Sequence, residues 1–141
     1  MKRVSEIMTP EPVTVIESDT LFHAARLMRD EDIGDVIVLD NTSARVKAIV
    51  TDRDMVIRAV ADGQDPRETT LAAVATEELL TVSPDDAVDK AARIMRDRAV
   101  RRLPVVDEDG RAVGVVSLGD LALELDRRSA LAEISAAPAN N

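Results

Sequence analysis

The chain lacks cysteine, tryptophan and tyrosine, and its 141 residues include one phenylalanine and one histidine. Without cysteine, disulfides, thiol catalysis and thiolate metal sites are excluded. A single histidine, His23, excludes a histidine metal cluster or a histidine-based relay within one chain. Since Phe22 is the only aromatic residue, a bound base would have to lie between aliphatic side chains and be recognised by main-chain groups.

Long apolar runs are also missing. No stretch approaches the roughly 20 residues that span a bilayer, and the first twelve residues do not form a secretory signal, so we expect a cytoplasmic protein with no membrane partner. The 27 acidic side chains outnumber the 18 basic ones and give a formal charge of −9. That charge would repel a duplex at long range, so we expect no nucleic-acid partner.

The composition is that of a folded domain, with 45% hydrophobic and 32% charged residues. The length favours one compact domain. Each half, at roughly 60 residues, would be marginally stable alone. We therefore expect the two halves to share a core.

What the sequence does contain is an internal repeat. The apolar positions of a helix recur 67 residues later: Leu21, Ala24, Ala25 and Met28 return as Val88, Ala91, Ala92 and Met95. A second set recurs 66 residues later: Thr51, Asp54 and Met55 return as Ser117, Asp120 and Leu121. Such a duplication predicts two similar units about a pseudo-twofold axis, with paired sites near that axis.

Each copy predicts the order strand, helix, strand, strand, helix, which is an α/β (α+β) fold. In the first copy the strands are expected at 13–15, 36–39 and 46–50, with helices from about 21 and from about 52 to 61. In the second copy they are expected at 80–82, 103–106 and 112–116, with helices at about 86–97 and from 118. The predicted divisions are a first motif at 1–62, a linker at 63–70, a second motif at 71–128 and a flexible C-terminal tail at 129–141.

The strand-to-helix junction of each copy is the feature that could carry chemistry. The first reads AIVTDRD and the second GVVSLGD, so a hydroxyl residue ends the strand and an aspartate follows three positions later. One interpretation is a capping box, in which the acid accepts from the amide of the cap residue. The other is a ligand site, in which the helix N-terminus and the hydroxyl hold a phosphate while the carboxylate binds a ribose diol. Arg53, or Arg101 and Arg102, would then compensate the charge, unless they are only solvated surface groups.

The chain resembles the cystathionine-beta-synthase (CBS) domains, which occur as tandem pairs. The resemblance covers about residues 4 to 125 and rests on the order, spacing and duplication of short motifs, namely IMTP at 7–10, AARLM at 24–28, DIGDV at 32–36, TDRD at 51–54, AARIM at 91–95, VRRLPVVD at 100–107 and GVVS at 114–117. It implies two CBS motifs packed with pseudo-twofold symmetry and two related clefts. The implied ligands are AMP, ADP, ATP or S-adenosylmethionine, and the implied assembly is a disc-like homodimer.

The resemblance also implies roles for individual residues. Asp54 and Asp120 correspond to the ribose-binding acids, and Thr51 and Ser117 to the hydroxyls on the phosphate side. The base-binding edge corresponds to the backbone around Asp35, Val36 and Val38 in one copy and Arg102, Leu103 and Val105 in the other.

The two copies depart from one another at three places. Ala48 stands where the second copy has Gly114, Val36-Ile37 replaces Leu103-Pro104, and Gly119 occupies the position of Arg53. The first edge thus keeps an amide that Pro104 lacks, and the second junction loses a cationic phosphate partner. We therefore expect the two clefts to be unequal.

These observations favour a non-enzymatic regulatory module that senses an adenosyl ligand, with no required cofactor and no metal. The alternative is a dimeric interaction scaffold whose clefts are vestigial and ligand-free. An enzyme is disfavoured because the sequence offers no nucleophile, base or metal cluster. The sequence names no downstream protein partner.

Overall fold

The computed structural model describes residues 2–75 and 78–136, with the side chains of the last helix described as far as Leu131. It contains two similar halves, each with a three-stranded sheet and helices packed against it. The elements of the first half are α1 (Val4–Ile7), β1 (Thr9–Pro10), β2 (Thr14–Ile16), α2 (Leu21–Glu31), β3 (Asp35–Leu39), β4 (Val46–Thr51), α3 (Asp52–Met55) and a π-helix (Val56–Val60). Those of the second half are α4 (Leu71–Val74), α5 (Val88–Arg98), β5 (Arg102–Val106), β6 (Ala112–Ser117) and α6 (Leu118–Ala136).

The two sheets share an equivalent antiparallel pair, β3–β4 and β5–β6, but differ in which strand is central. In the first sheet β3 is central, parallel to β2 and antiparallel to β4. In the second, β6 is central and antiparallel to both β1 and β5. The strand predicted at 80–82 is reduced to one parallel bridge between Val82 and Val105, which occupies the place of β2. The predicted mixed α/β fold with two equivalent motifs is confirmed.

The helices α2 and α5 form where the repeated apolar spacing predicted them. Leu21, Ala24 and Met28 are buried on α2, and the equivalent positions are buried on α5. The Thr20 hydroxyl accepts from the His23 amide at 3.2 Å and caps the start of α2. Asp32 ends α2 in the left-handed conformation with φ 54°, a conformation that aspartate tolerates better than most residues.

The apolar residues form two clusters, and each cluster contains a segment that precedes the other half. Val4 belongs to the cluster around β5 and β6, whereas Leu71 and Val74 belong to the cluster around β3 and β4. The same backbone bonds hold both segments, since Val4 N donates to Asp86 O at 2.8 Å and Leu71 N donates to Asp19 O at 2.9 Å. The expectation of a single shared core is therefore wrong. The structure has two cores, and each core includes the short segment that precedes the other half.

The helix that ends the first half differs from the prediction. The helix predicted at 52–61 is divided into α3 and the π-helix, where Ala61 N donates to Val56 O, five residues back. The last helix continues to Ala136, and the sequence predicts a frayed helix and a loose tail after about Ser129. Residues 137–141 of that predicted tail lie outside the described residues.

Candidate functional site

Both strand-to-helix junctions contain a reciprocal capping box. At the first, Asp54 Oδ2 accepts from Thr51 N at 2.9 Å and Thr51 Oγ1 accepts from Asp54 N at 3.1 Å. At the second, Asp120 Oδ2 accepts from Ser117 N at 2.8 Å and Ser117 Oγ accepts from Asp120 N at 3.1 Å. The structural interpretation of the two motifs is thus present in both copies.

The capping boxes leave part of each polar group unused. A carboxylate has two acceptor oxygens, and the capping bonds engage only Oδ2 of Asp54 and of Asp120. A hydroxyl that accepts still has its own proton to donate, which applies to Thr51 and Ser117. All four side chains are partly exposed. Capping fixes the orientation of these groups and is compatible with a ligand contact.

An ion pair joins the two junctions across the pseudo-twofold axis. Asp35 pairs with Thr51 in the first sheet, and Arg102 pairs with Ser117 in the second. The two charged residues occupy equivalent positions of the repeat, and Arg102 Nε lies 3.0 Å from Asp35 Oδ2. The fold therefore brings both junctions to the same end of the paired sheets.

The electrostatics around this ion pair involve a third group. Burial raises the pKa of Asp35, the Arg102 guanidinium opposes that rise, and the neighbouring Asp52 carboxylate adds to it. Because Arg102 is already paired with Asp35, it could bind a phosphate only by changing partner. Of the three arginines expected to compensate a phosphate, Arg102 is thus engaged with Asp35.

The first amides of the two helices are partnered differently. Asp52 N donates to Gly34 O at 3.0 Å, and Arg53 N donates to the Asp52 side chain at 2.8 Å. At the second junction Leu118 N donates to Arg101 O at 2.8 Å. The Gly119 amide, in contrast, makes no hydrogen bond to any residue that the structure describes.

The two junctions are therefore unequal in their backbone donors. The sequence pointed to Gly119 as a loss of a cationic side chain, but this position also presents a free backbone donor. Arg53 itself is exposed at the first junction. Its amide is taken by the side chain of the preceding residue, so the first junction offers a side-chain cation and the second an amide.

The predicted base-binding edge lies mostly inside the sheets. The side chains of Val36, Val38, Leu103 and Val105 are fully buried in the two cores. Both neighbours of β3 are strands, and β5 lies between β6 and Val82. Of the predicted edge residues, Asp35 and Arg102 reach the junctions with their side chains, and the other four could contribute only backbone groups.

Two differences between the copies have structural causes. The Ile37 amide, which Pro104 lacks, donates to Val13 O at 3.0 Å and is not free for a ligand. Gly114 allows β1 to approach β6, because a Cβ there would lie 2.8 Å from Thr9 O. Glycine at this position is thus required by the contact between β1 and β6.

Cavities of about 440, 480 and 350 Å³ occur in the described part of the chain, and none of these three is lined by Thr51, Asp54, Ser117 or Asp120. The cavity of about 480 Å³ adjoins the first junction through Asp52 and Met55 and is otherwise lined mainly by apolar residues. Sequence reasoning missed this groove, although Val56 and Val60, four positions apart, place two apolar side chains on one helix face.

The residues that the structure describes include no group of three or more histidine, cysteine, aspartate or glutamate side chains arranged to hold a metal ion. Within the same residues, no helix combines the length and the hydrophobicity that a membrane-spanning segment requires.

Comparisons with known proteins place this geometry in a family. The model of the CBS domain matches residues 4–60 and 71–127. Hypoxic response protein 1 of Mycobacterium tuberculosis is 34% identical over 125 residues, which are 89% of this chain and 86% of that protein. The crystal structure of Hypoxic Response Protein I with two coordinated zinc ions has a TM-score of 0.77 at 33% identity, covering 88% of this chain and 99% of that chain.

Two further comparisons set limits. The CBS domain pair of a protein crystallised with 5′-methylthioadenosine and S-adenosyl-L-methionine has a TM-score of 0.80 and covers 91% of this chain and 98% of that chain, but at 23% identity the likeness shows the fold alone. An uncharacterized protein of Methanopyrus kandleri is 31% identical over 118 residues, and this chain spans 60% of its length. The repeat, the paired sheets and the matches over both halves lead to one conclusion: the chain belongs to the CBS-domain family and carries two CBS domains in tandem.

Proposed function

We propose that this protein is a non-enzymatic regulatory module that binds an adenosyl ligand at its strand-to-helix junctions. Asp54 and Asp120 accept ribose hydroxyls through the oxygens that capping leaves unused, and Thr51 and Ser117 donate their hydroxyl protons. The observation that carries the proposal is the capping box present at both junctions. It holds each carboxylate in one orientation, which lowers the ordering cost of binding.

A protein of the same fold supports the ligand class. The CBS pair crystallised with 5′-methylthioadenosine and S-adenosyl-L-methionine has the same fold as this chain. Both compounds carry an adenine and a ribose, and the ribose diol is the part that a carboxylate recognises.

The charges of the two junctions favour different members of that class. The free Gly119 amide, with Arg101 and Arg102 nearby, suits the phosphate of AMP, ADP or ATP at the second junction. At the first junction the Asp52 carboxylate already accepts the hydrogen bond of the Arg53 amide. A second anion beside this carboxylate is unfavourable, because like charges repel. An adenosyl compound without a phosphate, such as S-adenosylmethionine, fits the first junction better.

The ion pair across the axis gives binding a route to a signal. A phosphate that engages Arg102 competes with Asp35 for the guanidinium. Because this pair joins the two sheets, a ligand that breaks it favours a different arrangement of the two halves. The ligand would thus act by changing the contact between the CBS domains.

Calorimetric titration of AMP and of S-adenosylmethionine into Asp54→Ala, Asp120→Ala and the double variant tests this assignment. Each substitution is expected to weaken the affected site by about 1.5 to 3 kcal/mol, the range for a hydrogen bond to a charged group. Asp86→Ala is the matched control, because Asp86 Oδ2 accepts from Ser83 N at 2.8 Å in the same manner but away from the junctions. Unchanged affinity in both single variants and in the double variant rejects the ribose assignment.

An interaction scaffold with vestigial clefts is the second candidate. It is favoured by the positions of the three cavities, which lie away from the four capping side chains. The same titrations separate the two functions. Absence of binding by AMP, ADP, ATP and S-adenosylmethionine to the unsubstituted protein supports the scaffold.

A further inference from the structure

Two hairpin turns meet at the end of the sheets opposite to the junctions. Residues 40–45 connect β3 to β4, and residues 107–111 connect β5 to β6. Arg45 Nη1 donates to Asp109 O at 3.0 Å, and Val46 N donates to Gly110 O at 2.9 Å. We call these two hydrogen bonds the turn contact. They join the first half of the molecule directly to the second.

The backbone on both sides of the turn contact is held in shape. Asp40 Oδ1 and Asp107 Oδ1 each accept from two amides of their own turns, all at 2.9 Å, and such bonds restrict the conformation of a turn. Gly110 has a φ of 80°, and a Cβ there would lie 2.7 Å from Arg45 Cζ. The Arg45 guanidinium therefore packs directly against the backbone of the second turn.

The turn contact is not repeated by the pseudo-twofold axis. Arg111 directly precedes β6, as Arg45 directly precedes β4, so the two arginines are equivalent in the repeat. The Arg111 amide donates to Asp107 Oδ1, but its side chain makes no hydrogen bond or salt bridge within the described part of the chain. The contact thus depends on one of two equivalent guanidinium groups.

The link at the junction end is of a different kind. It is the Asp35–Arg102 ion pair, whose side chains are 19% and 35% exposed. Salt and competing ions weaken a partly exposed ion pair. The bond between Val46 and Gly110, in contrast, joins two uncharged backbone groups. A change of ionic conditions therefore acts on the junction end more strongly than on the turn contact.

We propose that the turn contact is a hinge and that the Asp35–Arg102 pair holds the opposite end closed. When the pair breaks, the two halves separate at the junctions, while the turn contact and the packing of α1 and α4 in the opposite cores are retained. The junctions then undergo the largest displacement, because they lie farthest from the hinge. The hinge is a property of the chain without a ligand, and its use in signalling rests on the proposed function.

Distances between nitroxide labels test the hinge, and the absence of native cysteine allows labels at chosen positions. Asp30→Cys with Asp97→Cys places one label in each half, near the ends of α2 and α5 that precede the ion pair. Lys47→Cys with Glu108→Cys does the same beside the turn contact. All four residues are exposed. Labelled chain is mixed with an excess of unlabelled chain, so that only distances within one chain are measured.

Rupture of the ion pair is expected to affect one end only. Arg102→Gln should lengthen and broaden the distance at the junction end and leave the distance beside the turn contact unchanged. A raised concentration of sodium chloride should have the same effect on the protein without Arg102→Gln, because salt screens the pair. A junction-end distance that is constant under both conditions overturns the proposal, and so does an equal change at both ends.

Removal of the Arg45 side chain tests the hinge itself. Arg45→Ala is expected to broaden the distance beside the turn contact and to accelerate exchange of the Val46 amide, whose bond to Gly110 O lies next to the lost guanidinium. Arg111→Ala is the matched control, because it removes the same side chain at the equivalent position without loss of a contact between the halves. Equal results for the two variants contradict the hinge.

Addition of AMP to the labelled chains separates the hinge from the proposed function. If AMP engages Arg102, the junction-end distance should change as it does in Arg102→Gln. Binding of AMP in calorimetry without that change overturns the use of the hinge in signalling. Absence of AMP binding counts against AMP as the ligand, whereas the distances measured without ligand still decide the hinge.

Discussion

At the scale of single residues, the equivalent positions 35 and 102 carry side chains of opposite charge, and this difference determines how the two halves contact each other. Two identical charges at these positions would repel one another across the axis. Here aspartate stands at one and arginine at the other, and their side chains form the 3.0 Å ion pair. A difference between the copies has thus become a contact between them.

The protonation of Asp35 yields a prediction about pH. Burial and Asp52 raise its pKa above the ordinary 3.8 although Arg102 opposes them. Because the folded pKa is the higher one, the associated stability is fully present below the unfolded pKa and is lost as pH rises through the folded pKa. We expect Asp35→Asn to lack this loss, so its stability relative to the unsubstituted protein should improve as pH rises from about 4.

Carbon NMR of the Asp35 carboxyl measures the same property directly. Asp52→Asn is expected to lower the pKa of Asp35, whereas Arg102→Gln is expected to raise it further, because the two neighbours act in opposite directions. An Asp35 pKa at or below 3.8 in the unsubstituted protein contradicts the prediction.

At the scale of elements, local patterns predicted those parts that depend on neighbouring residues. The spacing of Leu21, Ala24 and Met28 was sufficient for α2, and the capping motif located Thr51 and Asp54. The central position of β3 was not predictable, since an apolar run does not reveal how many strands flank it. The base-binding edge was predicted for backbone groups around positions in β3 and β5, and it stays a prediction.

The packing of the short helices α1 and α4 against the opposite half could also not be predicted from the sequence pattern. Val4 and Leu71 belong to short helices of four residues, too short for an amphipathic period to be informative. Their placement in the opposite cores depends on contacts far away in the chain. The division between α3 and the π-helix has no sequence signal that we recognise.

The contact between β1 and β6 is open to a direct test. Gly114→Ala places a Cβ 2.8 Å from Thr9 O. Because Thr9 O is a backbone atom, it cannot move away by a change of rotamer. We expect a loss of about 1 to 3 kcal/mol in the free energy of unfolding, as for overpacking elsewhere, with faster amide exchange in β1 and β6. Gly119→Ala is the control, because its Cβ meets only Ser117 Oγ at 3.5 Å and alanine favours a helix. Equal stabilities for the two variants contradict the assigned contact.

At the scale of the whole molecule, the exchanged segments couple the two halves. Val4 precedes the first sheet in the chain but is buried in the second core, and Leu71 precedes the second sheet but is buried in the first. Neither core can be completed without a segment from the other side of the chain. Such an arrangement favours unfolding in one step, although each half is marginal by size.

Calorimetry of Val4→Ala and Leu71→Ala tests this coupling. Truncation of a fully buried leucine costs about 2 to 5 kcal/mol, and Val4→Ala should cost less because fewer atoms are removed. In both variants we expect a single transition at lower temperature, with equal calorimetric and van't Hoff enthalpies. The reason is that each truncated residue lies in a segment that links one half to the core of the other, so a defect there destabilises both halves. Two separate transitions, of which only one is shifted by the substitution, would show instead that the halves unfold independently. In that case a ligand bound at one junction could not influence the other junction through the shared segments.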